Sequence, residues 1–324
     1  MDYFTMFVNP QKNPSFPFDS PFFNIKNYSS FVVIDISEIM LQEVFPTPLF
    51  LGEGPVWDER VQRLYFVDIL SKRMYKYSFD TKRAEEYQFE EFISCIALHN
   101  DPDIVLIALE SGIYALNTST RETTFVVQPE KKPNYRFNDG SVDREGNWVI
   151  GSMNNINNGA EATHQPDASL YRVNGSEANV LLENVTISNG IAFSDREMYY
   201  IDSIHGNVRR FDYSNGELRN EKVVFEVEKD VSPDGMTLSK SNKLYVALWG
   251  GAKIIVYDLN KSALVSEIPL PVPNPTSCTF GGKDMNTLFI TTASLGERTD
   301  AGVYAINLED EGHTENKVHW PVLG

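Results

Sequence analysis

A repeat that recurs six times constrains this chain more than any other feature. Short strand-like runs begin at Leu64, Ile104, Asn147, Met198, Leu244 and Leu288, spaced 40, 43, 51, 46 and 44 residues apart. A second set begins at Met74, Ile113, Leu170, Val208, Ile254 and Val303, and in four of the six units it follows the first by 9 or 10 residues. That offset is what two antiparallel strands joined by a tight turn require. A third set precedes the first, with turn residues opening an apolar run: Gly52 to Trp57, Ser94 to Leu98, Asn138 to Val142, Asn189 to Phe193, Pro233 to Leu238 and Ser277 to Phe280. More strand-like runs, such as Thr123 to Val127 and Val223 to Val227, lie between units. Four strands per unit at this period predict an all-β fold, a six-bladed β-propeller.

The segment Ile39 to Phe45 stands where a fourth strand would precede the first unit. It is expected to complete the last blade, closing the ring with an N-terminal strand and pairing edges that would otherwise be exposed. Residues 1 to 33 fall outside the count and are read as an N-terminal extension, with residues 34–324 as a single propeller domain. The third unit departs furthest from the pattern, with an offset of 23 that leaves a polar excursion from Asn154 to Ala168. Such a loop either carries function on a rigid scaffold or is a tolerated surface insertion.

Charge narrows the choice of partner. With 45 acidic against 28 basic side chains the net charge is -17, which repels phosphate backbones and anionic lipid and leaves a cation or a neutral polar ligand. Neither nucleic acid nor a membrane is expected as a partner. Two cysteines, Cys95 and Cys278, are too few for a disulfide framework or a cysteine zinc site, which favours a reducing, cytoplasmic setting. No run approaches the length of a membrane span, and the first twenty residues lack the basic-then-apolar order of a signal peptide.

In a propeller the first strand of every blade lines the central channel, so residues opening those strands converge whatever their separation. Here these positions supply Glu53, Asn138 with Asp139, Asn189 and Asp234. Their oxygens are hard ligands suited to Ca²⁺, Mg²⁺, Mn²⁺ or Zn²⁺, and buried together without a cation they would repel. Asp139-Gly, Asn189-Gly and Asp234-Gly are also turn dipeptides that need no ligand. Glu53, between Gly52 and Gly54, contributes nothing to a turn. Arg136, two residues before Asn138, either aims a guanidinium at a ligand oxygen or makes a surface ion pair. The five histidines form no i,i+4 pair, and there is no nucleophile elbow or phosphate-binding loop.

At Gly52-Glu-Gly-Pro-Val-Trp57, Arg136-Phe-Asn-Asp-Gly-Ser-Val-Asp143, Ile187-Ser-Asn-Gly-Ile191, Tyr200-Ile-Asp-Ser203, Pro233-Asp-Gly-Met236 and Thr276-Ser-Cys-Thr-Phe-Gly-Gly282, the chain resembles the family of senescence marker protein (regucalcin), gluconolactonase and luciferin-regenerating enzyme. The resemblance runs from about residue 38 to 308 in the family's order. It implies one divalent metal ion held by Glu53, Asn189 and Asp234, with Arg136, Asn138 and Asp139 at the substrate mouth. It also implies a metal-dependent lactonase acting on sugar lactones such as gluconolactone, with Asp234 as ligand and candidate general base. One departure bears on specificity: Asn154 and Asn155 stand where some animal relatives place a pair of Glu for substrate contact. A small-molecule lactone partner and a monomer or weak homodimer are expected. A non-catalytic Ca²⁺- or metabolite-binding propeller and a hydrolase of another lactone or ester remain as alternatives, because fold alone does not imply catalysis. A protein-interaction propeller ranks last, since the WD-type signatures are missing.

Overall fold

Each predicted unit folds as a four-stranded antiparallel sheet. The computed structural model describes residues 41–155, 165–294 and 301–322, and among these residues six such sheets occur, one per blade. The innermost strands are Gly52–Asp58, Ile93–Leu98, Tyr135–Val142, Ser188–Phe193, Ser232–Leu238 and Pro275–Gly281. Their positions follow from burial. Innermost strands such as Ile93–Leu98 and Pro275–Gly281 are buried along their whole length, whereas outermost strands such as Arg83–Gln88 carry charges into solvent. The second strands, among them Arg63–Asp68 and Ile104–Leu109, are β-branched and aromatic runs with almost every residue buried, as expected of strands packed on both faces.

Ring closure occurs as expected. Gln42–Phe45 lies within the predicted segment and pairs antiparallel with Val303–Asn307, so the last blade takes its outer strand from the N-terminal side of the chain. The first blade grips that strand. Phe45 packs its ring 5.1 Å from Phe66 and 5.0 Å from Tyr75, and the Tyr77 hydroxyl donates to the Val44 carbonyl at 2.6 Å. Trp57 stacks on Phe289 across the same seam at 5.3 Å, and burying rings of this size contributes about 1.5–3 kcal/mol each.

The C-terminal segment was not legible from the repeat. It crosses one end of the ring, with Gly312 bridging Ser239, Asn316 donating to the Val142 carbonyl, Lys317 paired with Glu59 and Val318 bridging His99. It thereby ties the fifth, third, first and second blades. The expected extension of residues 1 to 33 and the middle of the polar excursion, residues 156–164, lie outside the described residues.

Candidate functional site

The sequence positions singled out above share one backbone device. Every innermost strand shifts register near its start: between Glu53 and Val56, Ile93 and Cys95, Phe137 and Gly140, Asn189 and Ile191, Pro233 and Met236, and Pro275 and Ser277. A bulge re-aims the side chains beside it. Glu53, Asn138, Asp139, Asn189 and Asp234 all lie at these irregularities. The Asx-Gly pairs are therefore strand residues and not turns. Gly54 has φ +52°, and a Cβ at Gly190 would stand 2.8 Å from the Asp234 carbonyl oxygen. Glycine is needed there for backbone conformation in one case and close approach in the other.

Hydrogen bonds link the amides across blades. Arg136 Nη1 donates to Asn138 Oδ1 at 2.6 Å and to the Phe137 carbonyl. Asn138 Nδ2 in turn donates to Asn189 Oδ1 and to the Ser188 carbonyl, both at 2.8 Å. Asn189 Nδ2 donates to Ser203 Oγ, whose hydroxyl donates to the Pro233 carbonyl beside Asp234. Because a guanidinium only donates, both amide orientations are determined, and Asn189 Oδ1 keeps a second lone pair.

The carboxylates are in a different state. Glu53 and Asp234 are each 6% exposed, and Asp234 Oδ1 has no hydrogen-bond partner among the described residues. Burial, then the charge of Asp139, pushes Glu53 up to about 8. Burial and the charges of Glu53 and Asp139 push Asp234 well above the usual carboxylate range. Half-buried Asp139 is raised to about 6 by desolvation, against a hydrogen bond from the Gly140 N–H. Desolvation lowers buried Arg136 to about 10, opposed first by Glu53. These groups thus act on one another electrostatically, and their excess is negative.

Among the described residues, no group of three or more His, Cys, Asp or Glu is arranged to hold a metal ion. The charges of Glu53, Asp139 and Asp234 act on one another, and carboxylate oxygens gathered in this way suit a hard cation. A cavity of about 250 Å³ opens beside the innermost strands, and its lining includes Asp139, Cys95, Ser277 and, from the C-terminal segment, Glu315. Cys95 and Cys278 are buried free thiols pushed up by desolvation, as befits small core residues. Sequence reasoning missed Ser203, which holds Asn189, and Glu110, which accepts from Asn155. The run Tyr200-Ile-Asp-Ser203 contained the first signal. Glu110 has no local signal, since its partner comes from another blade.

Fold and site together define a six-bladed propeller with an acid-and-amide centre on its axis. The chain belongs to the SMP-30/gluconolactonase/LRE-like family, whose model matches residues 51–294. It is 33% identical over 276 residues to regucalcin of Danio rerio, covering 82% of this chain and 90% of that one. A solved luciferin-regenerating enzyme is 29% identical with a TM-score of 0.80, covering 87% and 99% of the two chains. A gluconolactonase from Xanthomonas campestris shares the fold at TM-score 0.70 and 19% identity, over 84% and 91%.

Proposed function

We propose that the protein is a metal-dependent lactone hydrolase acting on sugar lactones, with Glu53, Asn189 and Asp234 as ligands of one divalent cation. The observation that carries this reading is the buried, unpartnered Oδ1 of Asp234 beside Glu53, two desolvated acids that repel one another. Two carboxylates and an amide oxygen fit Ca²⁺, Mg²⁺, Mn²⁺ or Zn²⁺. The family description, which includes gluconolactonase, supports the substrate class. A cation bound there would supply Lewis-acid polarisation of the lactone carbonyl.

The chain's own residues supply the rest. Asp234 accepts the proton of the attacking water and returns it to the departing ring oxygen as the ester bond breaks. Arg136, anchored on Asn138, offers its remaining donors to substrate oxygens. The Asn138 oxygen already accepts from that guanidinium, so Asn138 orients Arg136 and Asn189 and leaves coordination to Asn189. Asp139, whose charge acts on Glu53 and Asp234, accepts from a substrate hydroxyl that reaches it.

The test is lactone hydrolysis, followed by proton release, by metal-stripped protein resupplied with each of the four ions. Turnover that depends on an ion and drops at least about a hundred-fold in Asp234→Ala supports the reading. Ion binding without turnover on any aldono- or aliphatic lactone would leave a binding protein instead.

A further inference from the structure

Beside the proposed site stands a polar pair that the hydrolytic reading does not use. Asn155 is 7% exposed, and its backbone is tied by its N–H to the Asn134 carbonyl. Its Nδ2 donates to Glu110 Oε1 at 3.2 Å, and Glu110 Oε2 accepts the Phe92 N–H at 3.1 Å. A carboxylate can only accept, so the atom facing Glu110 must be the amide nitrogen and the orientation of Asn155 is determined. Asn155 Oδ1 is then left as a buried acceptor with no hydrogen-bond partner among the described residues. Arg136 Nε is a buried donor in the same condition. Arg136 pairs with Met153 across the two innermost strands of the third blade, and Asn155, whose N–H continues that ladder to Asn134, follows on the same face, so both orphaned atoms belong to one face of this strand pair.

We infer that Glu110 is a positioning residue for substrate hydroxyls: it holds the Asn155 amide with its oxygen unshared, on the strand face that also carries the free donor of Arg136. The inference rests on the lactonase reading and narrows its substrate. A hydroxyl both donates and accepts, so a neutral polyhydroxylated lactone satisfies Asn155 Oδ1 and Arg136 Nε together. An aliphatic lactone leaves both unmade, and an anionic group meets the charge of Glu110.

The decisive variant is Glu110→Gln, nearly isosteric, whose amide cannot accept from both Phe92 and Asn155 through one oxygen without turning a donor toward one of them. KM for gluconolactone is expected to rise about five- to ten-fold, the loss of one hydrogen bond, with kcat within about two-fold of the parent. Hydrolysis of δ-valerolactone should be unchanged. The double variant Glu110→Gln with Asn155→Asp should recover the gluconolactone KM, because the carboxylate introduced by the second substitution accepts from the new amide and keeps its other oxygen for substrate. Equal losses on both lactones, or no recovery in the double variant, would make Glu110 a structural residue only and overturn the inference. Calorimetry with sorbitol separates the two readings. If the protein hydrolyses no lactone but sorbitol binding weakens in Glu110→Gln and returns in the double variant, the hydroxyl site stands and the lactonase reading does not.

Discussion

Glu53 and Asp234 are acids kept from water with only Arg136 to offset them, an arrangement that costs stability in the metal-free protein. Replacing Glu53 by Gln removes the cost of holding this acid protonated well above its ordinary range in the metal-free protein. We expect Glu53→Gln to be the more stable of the two without metal at pH 7, by on the order of 2 kcal/mol, while losing cation-dependent turnover. Denaturant melts in the presence of chelator check this, and a less stable variant would show that Glu53 is held by favourable contacts instead. The same acid predicts a pH dependence. In the folded metal-free protein Glu53 keeps its proton up to about pH 8, whereas an ordinary glutamate gives it up near 4.5. Between those values the folded state binds more protons than the unfolded chain, so stability falls as pH rises from about 5 to about 8. The melting temperature of chelated protein should decline over that range, and the decline should be smaller in Glu53→Gln. Glu53 was the most legible site residue because no turn needs an acid between two glycines. Asp139, Asn189 and Asp234 were ambiguous as Asx-Gly pairs until the fold put them in strands. Glu110 and Asn155 were illegible as a pair because 45 residues separate two side chains that meet only through the curvature of the ring.

At the scale of the strand, the bulge does what the repeat could not reveal. Hydrophobic periodicity counts strands and orders them, yet a one-residue register shift at the start of each innermost strand leaves that pattern almost unchanged. Gly190 shows how tightly the shifted backbone is held. Gly190→Ala would force a Cβ to within 2.8 Å of the Asp234 carbonyl oxygen and of Ile201 Cδ1. We expect a cost of about 1–3 kcal/mol and displacement of Asp234, so that cation affinity falls along with stability. Unchanged affinity in a folded Gly190→Ala protein would mean that the fourth and fifth blades are not coupled at this point. The closing strand admits a milder test. Tyr77→Phe removes only the hydrogen bond to the Val44 carbonyl, and a loss of about 1 kcal/mol in the unfolding free energy is the expected outcome. The strand itself was legible from the count of units. Its grip was not, since Phe45, Tyr75 and Tyr77 meet across the seam of a closed ring.

For the whole molecule, the proposed ligands come from the first, fourth and fifth blades, so a bound cation would join three sectors of the ring at its centre. The ring already has two fastenings, the N-terminal strand in the last blade and the C-terminal segment across one end of the channel. A cation at the axis would be a third, acting where buried acids of the first and fifth blades influence one another. Because a native site is absent from the unfolded chain, binding stabilises by mass action, about 2.7 kcal/mol at a hundred times the dissociation constant. In a chain of this size that is roughly a 5 °C rise in melting temperature. The rise should grow with the logarithm of free ion concentration, shrink in Glu53→Gln and Asp234→Ala, and persist in Glu110→Gln, which leaves the ligands intact. Melting that is indifferent to Ca²⁺, Mg²⁺, Mn²⁺ and Zn²⁺ across a buffered series would remove the cation from the centre of the ring. A shift retained in Glu53→Gln would move the binding site to another part of the strongly acidic surface.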